Sequence, residues 1–493
     1  MGRRMWRILA FAIILCGLML SSAYAAPMSE LIMVDGPEAG YSFDSSGKRL
    51  FISKPGTYTI ANIDPDTAVN GFIDIGISGS DKDITLVLSG VHLQSQTYGS
   101  IRCYYKCNLT IQLADGTTNT LYAKKDYGIA VYNSSSLTIK GNGALYVKGG
   151  VEAKSYSNYY YAGIGPGNVT IESGKIYATG AKHAPGIGAR NYTETYTFDG
   201  SLECYSDTTS NITINGGYVE AAGGEYAAGI GGGYAGQAKN ITINGGTVIA
   251  KGGRNAAGIG GGYRGGAQNI TINGGTVTAT SSSPTGNSLS AAIGGGYLGK
   301  VQDITLSGGE IIARTGEGYS AIGYYDGTAA ENVNVTLAPL QEKRLLVKTG
   351  TAKNNITKET SYSQETSINN MGLLNYVHIT TGCIQHTGGK ATCKTEAICT
   401  ACEKPYGDKD FNNHDGDTEI RNAVDATYEA TGYTGDAYCL GCGNLIQNGT
   451  TIPKLPTPPE TGDNFSLYLW MGMLILSTSV MVALKSNALN RNK

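Results

Sequence analysis

The chain is short of the residues that usually fill a globular core. Its 493 residues include 7 Phe and 2 Trp, against 33 Tyr. An interior built on large apolar rings is therefore excluded, and many of the Tyr side chains belong at the surface. Charge is scarce as well. Asp, Glu, Lys and Arg make up 15% of the residues, and 37 basic against 39 acidic side chains leave a formal charge of −2. The lack of a positive excess excludes a basic nucleic-acid binder, and the low charge density excludes a charged disordered chain. There are 13 Pro and no Gly-X-Y period, which excludes a collagen. Glycine is abundant instead, at 71 residues, roughly twice the usual share.

Apolar runs mark the two ends. Residues 1–25 carry Arg3, Arg4 and Arg7, a short apolar run from Ile8 to Leu20, and Ala23 and Ala25 at the two positions a signal peptidase reads. This predicts a signal peptide and an exported protein. The alternative, an N-terminal membrane anchor, asks a short run to span the bilayer. Phe465 to Leu484 is long enough for one transmembrane helix, and Lys485, Arg491 and Lys493 in the tail 485–493 favour the cytoplasmic side. PPETGD, residues 458–463, stands just before that run. The order resembles the sorting signal of Gram-positive wall-anchored surface proteins. Pro459, Glu460, Thr461 and Gly462 match it, and Pro458 stands where Leu is usual. The resemblance implies that sortase cuts after Thr461 and joins it to peptidoglycan, the membrane holding the chain until then. A plain tail-anchored membrane protein is the alternative. Four prolines, Pro453, Pro456, Pro458 and Pro459, stiffen the spacer 451–463.

The middle repeats. NITINGG occurs at 211–217, 240–246 and 269–275, a period of 29, and DITLSGG follows at 303–309. On the same beat come GIGGGY at 229–234 and 258–263, AIGGGY at 292–297 and AIGYY at 321–325. Ile241 and Ile243 alternate with Thr242, and Val248 and Ala250 with Ile249. Period two means strand, and these repeats show no helical spacing. Three short strands per repeat predict an all-β fold, a right-handed parallel β-helix over 26–340 with about 29 residues per coil. Stacking at about 4.8 Å would align three inward ladders. They are Ile212, Ile241, Ile270 and Ile304; Val219, Val248, Val277 and Ile311; and Ile230, Ile259, Ile293 and Ile322. Asn211, Asn240 and Asn269 would form an amide ladder. RLLVKTG (344–350) and NYVHITTG (375–382) read as closing strands within a cap and linker, 341–382.

The β phrases upstream are DITLVLSGVHL (83–93), LTIQLADGTTNTL (109–121) and SSLTIKGNGALYVKGG (135–150). With the repeats, they resemble a secreted β-helical carbohydrate-binding domain, the likeness covering roughly 40–340. Characterised members bind pectin-type and cellulose-type polysaccharides with bound calcium. The resemblance therefore implies a polysaccharide ligand and calcium in the β-helix. Tyr234, Tyr263 and Tyr297 each end a GGGY, and Tyr324 follows AIG. Aligned coil on coil, they offer a row on which sugar rings could stack, or else a ladder of rings stacked on one another. Tyr156, Tyr159, Tyr160 and Tyr161 form a second cluster. Asp64, Asp66, Asp74, Asp81 and Asp83 are calcium candidates or, more simply, solvated turn acids.

Two rivals to a sugar-binding adhesin stay open: a polysaccharide lyase or hydrolase, and a stalk or protein-binding adhesin without sugar affinity. Glycoside hydrolysis needs paired carboxylates. In the repeats Asp303, Glu310, Glu317, Asp326 and Glu331 are scattered and His183 is isolated, so no catalytic residue is assigned.

A small Cys/His-rich module is predicted over 383–450. It reads as two pseudo-repeats, each ending in a CxxC, Cys399/Cys402 and Cys439/Cys442. His386, Cys393, Cys399 and Cys402 would make one tetrahedral zinc site. His414, Cys439 and Cys442 would contribute to a second, where Tyr428 replaces the equivalent of Cys393, unless the copies share ions. Disulfides are the alternative in an exported protein. Cys103 and Cys107 can pair only if the chain turns between them.

Overall fold

The computed structural model describes residues 26–457, apart from the segments 77–82, 105, 155–156, 190–194, 197–201, 204–210, 282–288, 317–318, 324–332, 370–373 and 401–402. The expected signal peptide, Pro459, Glu460, Thr461, Gly462, the apolar run 465–484 and the tail 485–493 lie outside the described residues. So do Asp81, Tyr156, Glu317, Tyr324, Asp326, Glu331 and Cys402. No helix among the described residues is long and apolar enough to cross a membrane. The described chain falls into two compact units that divide between Gln385 and His386.

The first unit is all-β. Its repeats fold as their alternation dictates, with every second residue turned inward. Strand Ala238–Ile243 pairs in parallel with Ala267–Ile272, setting Ile241 beside Ile270 and Ile243 beside Ile272. Strand Thr247–Gly252 pairs in parallel with Thr276–Ser281, setting Val248 beside Val277. The short strand Ile259–Gly260 pairs with Ile293–Gly294. Each coil thus contributes three strands, and all three predicted ladders form in the predicted register. Every one of these side chains is buried. Each contributes about 1.5–3 kcal/mol of hydrophobic stabilisation. The parallel strands in long sheets are consistent with a β-helix.

The first ladder continues upstream through Val169, Leu137, Leu109 and Ile84, and downstream to Val335. Hydrogen bonds between coils span 25 residues from Asn108 to Asp83, 28 from Ser136 to Asn108, and 43 from Asn211 to Asn168. They span 29 in the regular repeats. Insertions therefore lengthen loops and leave the inward phase untouched. Antiparallel strands cover the two ends. Ile32–Asp35 lies along Gly56–Asn62, and Tyr376–Cys383 lies between Glu310–Arg314 and Lys343–Ala352. Such additions blunt the open sheet edge on which other chains would pair.

Two backbone features explain the residue choice at the corners. Asn240 and Asn269 sit at φ +52° and +57°, the left-handed region that Asn tolerates best after Gly. The Asn240 amide donates to Asn211 Oδ1 at 2.8 Å, and Asn269 to Asn240 at 2.8 Å, as expected. A second amide row, Asn215, Asn244 and Asn273, runs beside it at 2.8 Å per step. Gly260 has φ +133°, and a Cβ there would stand 1.9 Å from the carbonyl oxygen of Gly294 in the next coil.

Asn240→Ala should cost about 2–3 kcal/mol, two inter-coil hydrogen bonds (to Asn211 and from Asn269) plus left-handed strain. Gly260→Ala should cost more, because the coils must separate locally. Thr242→Ala, on the outward side of the same strand, should change little. Urea midpoints in any other order would contradict the corner geometry.

Candidate functional site

The GGGY loops follow the third strand of each coil and are fastened to one another through their backbones. Ala235 N–H donates to Tyr263 O at 2.6 Å, and Arg264 N–H donates to Tyr297 O at 2.8 Å, each bond reaching the next coil. Ala235, Arg264 and Leu298, each just after the Tyr, share φ values of +52° to +60°. The loops therefore repeat, and the rings fall into a column. Centroids are 5.2 Å apart from Tyr234 to Tyr263 and 5.7 Å from Tyr263 to Tyr297. His183 extends the column, 5.3 Å from Tyr234, and Tyr160 lies 4.3 Å beyond it. Tyr226 packs edge-on, 5.4 Å from His183 and 5.6 Å from Tyr263. All six rings are half-buried. Neighbouring rings lean on each other's faces, so a ligand approaching this column meets mainly ring edges. Arg264 holds its guanidinium 5.4 Å from the Tyr263 ring centre.

A second aromatic row was not assigned from the sequence. Strands Thr118–Ala123, Ala144–Lys148, Lys175–Thr179 and Tyr218–Ala222 lie side by side in the second sheet. Leu145 and Val147 point inward, so Tyr146 points outward, and the same alternation turns Tyr122, Tyr177 and Tyr218 outward. Tyr146 and Tyr177 stack at 4.4 Å, and Tyr177 lies 5.6 Å from Tyr218. Tyr122 and Tyr146 are each 38% exposed. Tyr218 Oη donates to Glu220, which also binds Lys251 Nζ. Period two was the signal that could have found this row.

Asp74 corrects an expectation. It is no solvated turn acid: it lies in strand Phe72–Ile75 with its side chain 8% exposed. Arg49 reaches it at 2.8 Å and Arg102 at 3.0 Å, from the neighbouring strands on either side. Two cations on one carboxylate oxygen occupy the face a calcium ion would need. The Arg102 guanidinium lies 3.9 Å from the Tyr98 ring centre and 4.9 Å from that of Phe72. Nearby, Asp126 accepts from the Gly99 and Tyr127 amides and from Tyr132 Oη at 2.8–3.0 Å, while burial pushes its carboxyl up. Asp64 accepts from Thr67 Oγ1 at 2.6 Å and from the Asp66 amide within its own exposed turn, and Asp83 accepts from Asn108.

Cys103 ends a strand, the chain turns through Lys106 at φ +60°, and Cys103 and Cys107 are joined as a disulfide. In the second unit the ligand atoms of His386 and Cys399 lie within 4.8 Å of each other. Cys393 does not join them. It lies with His414, Cys439 and Cys442.

The column makes a pH prediction. Burial, assisted by the Lys182 charge and opposed by Glu225, lowers His183 from its ordinary 6.5 to about 4. Between these values the unfolded chain binds a proton that the folded chain refuses, so stability falls as pH drops from 6.5 towards 4. His183→Phe keeps a ring in the column and removes the titration. Its Tm should fall less than that of the wild type over this window, and parallel Tm curves would contradict the assignment.

No curated protein and no solved structure matches the chain. A family model described as carbohydrate-binding domain-containing protein matches residues 46–327, more than half of the chain and nearly all of its coils. The chain belongs to this family of carbohydrate-binding domain-containing proteins.

Proposed function

We propose that this protein is a surface-displayed, wall-anchored adhesin that holds polysaccharide along a right-handed parallel β-helix. The observation that carries the reading is the coincidence of the carbohydrate-binding family match with the coils that bear two aromatic rows. The right hand follows the near-universal sense of parallel strand crossovers. Display rests on the expected signal peptide, on Pro459, Glu460, Thr461 and Gly462, and on the apolar run and basic tail after them. Sortase would then link Thr461 to peptidoglycan, with the membrane holding the chain beforehand. Retention would come from many weak sugar contacts multiplied by many displayed copies. Bound calcium would assist, as in the domain it resembles.

The sheet row is the more open of the two, because Tyr122 and Tyr146 are each 38% exposed, although Tyr146 gives one ring face to Tyr177. The loop column, Tyr234, Tyr263 and Tyr297, would add edge contacts and hydroxyl groups while stiffening the coil corners. Catalysis is not part of the reading. Asp74 is held by two arginines and Asp126 by three donors, so neither carboxylate stands ready to exchange a proton with a sugar.

Purified residues 26–455 on a glycan array, with and without calcium, should be retained by pectin-type or cellulose-type polysaccharides. Replacing Tyr122 and Tyr146 by Ala should weaken retention by about 5- to 150-fold, from the roughly 1–3 kcal/mol two ring contacts supply. Replacing Tyr234, Tyr263 and Tyr297 by Ala should weaken it less and lower Tm. Retention by no glycan would sink the function, and unsaturated or shortened sugar products would replace adhesion by lyase or hydrolase activity.

A further inference from the structure

The second unit has almost no apolar interior. Among its described residues, the buried apolar side chains are Cys393, Ala397, Cys399 and Cys439. Its larger apolar side chains, including Phe411, Ile420, Val424 and Leu440, are exposed. Strands as short as Thr418–Arg421, Asp436–Cys439 and Leu445–Gln447 cannot hold such a unit together by burial. A segment of this size without a core needs a cross-link, metal or disulfide. Cys393, Cys439 and Cys442 carry no disulfide.

The arrangement of the thiols favours metal. Cys393 Sγ and Cys439 Sγ are 3.8 Å apart, and Cys442 Sγ is 3.4 Å from His414 Nδ1. All four ligand atoms lie within 4.8 Å of one another. A tetrahedral zinc ion with ordinary Zn–S and Zn–N bonds sets its sulfurs about 3.8 Å apart and a sulfur and nitrogen about 3.5 Å apart. A disulfide would need about 2 Å. The backbone is shaped to match. Cys439 N–H donates to Asn444 O at 2.9 Å and Gly443 N–H to Cys439 O at 2.7 Å, with Gly443 at φ +76°. This tight loop presents both thiols of the CxxC to one point. Cys399 repeats the pattern, its N–H bonding Lys404 O at 2.9 Å and Glu403 N–H bonding Cys399 O at 2.8 Å. The other two ligands are brought in by backbone pairing. Cys393 N–H donates to Asn413 O at 2.9 Å, Asp415 N–H points at Cys393 Sγ at 3.2 Å, and Leu440 N–H donates to Asp417 O at 2.8 Å.

We infer that Cys393, His414, Cys439 and Cys442 form a closed structural site for one zinc ion, with three thiolates and one imidazole. The ligand missing from the second pseudo-repeat is supplied by the first. Tyr428, the residue aligned with Cys393, stands 52% exposed instead. Closing the site ties residues 393, 414 and 439–442 into one knot, which is what a unit without a core requires.

The test uses the full-length chain purified under reducing conditions. Cobalt should replace zinc and give the charge-transfer and ligand-field bands of a tetrahedral thiolate site. His414→Ala should lose one metal ion per chain relative to the wild type. His414→Cys should keep that ion, with the cobalt bands shifted to those of four thiolates, which separates loss of a ligand from loss of the fold. Unchanged metal content in His414→Ala would overturn the assignment. So would a Cys393–Cys439 disulfide in the mass spectrum of protein taken unreduced from the cell surface.

Discussion

Everything in the first unit depends on strands hydrogen-bonding in parallel, one coil to the next, in fixed register. Sheet geometry sets the spacing at about 4.8 Å. At that spacing each residue lies beside its counterpart a coil away, so a residue type is selected for how it stacks on itself. Ile and Val stack as buried aliphatics, Asn as an amide that donates on one side and accepts on the other, and Gly where the next coil's carbonyl leaves no room for a Cβ. The same rule sets the scarcity of Phe and Trp, since a narrow interior filled by repeated aliphatics has little place for large rings.

The rule also governs the outer surface. Whatever points outward recurs, and tyrosine recurs in two ways. In the loops the rings pack on one another, and burial there is deep enough to keep His183 neutral near pH 6. On the second sheet Tyr146 and Tyr177 stack as well, but Tyr122 and Tyr146 keep more of their area open. Family membership says that this kind of chain binds carbohydrate. The stacking repeats the same outward rings from coil to coil.

Where the period was constant, the sequence disclosed almost the whole arrangement: Ile241 on Ile270, Val248 on Val277 and Asn240 on Asn211 follow from a beat of 29 residues and alternation of two. Upstream, loops of unequal length broke the beat, so the continuity from Ile84 to Val169 could not be read although the inward phase never changed. Tyr122 and Tyr146 were legible in principle, because their neighbours alternate, but nothing local marks a ring as exposed. Asp74 and Cys393 were misplaced for a common reason. Each is decided by partners distant in sequence, Arg102 one coil on for Asp74 and Cys439, 46 residues further along the chain, for Cys393.

The two units thus solve one problem by different means. One has a long interior that grows with each coil. The other has cysteine where an interior should be. The claim on which the account turns is the coil-on-coil register, and paired nitroxide labels measure it directly. Labels on Thr242→Cys and Thr271→Cys, outward neighbours one coil apart, should show strong dipolar broadening, and labels on Thr242→Cys and Thr305→Cys, two coils apart, should show clearly less. Equal spectra for the two pairs, or no broadening in the first, would contradict the stacked coils.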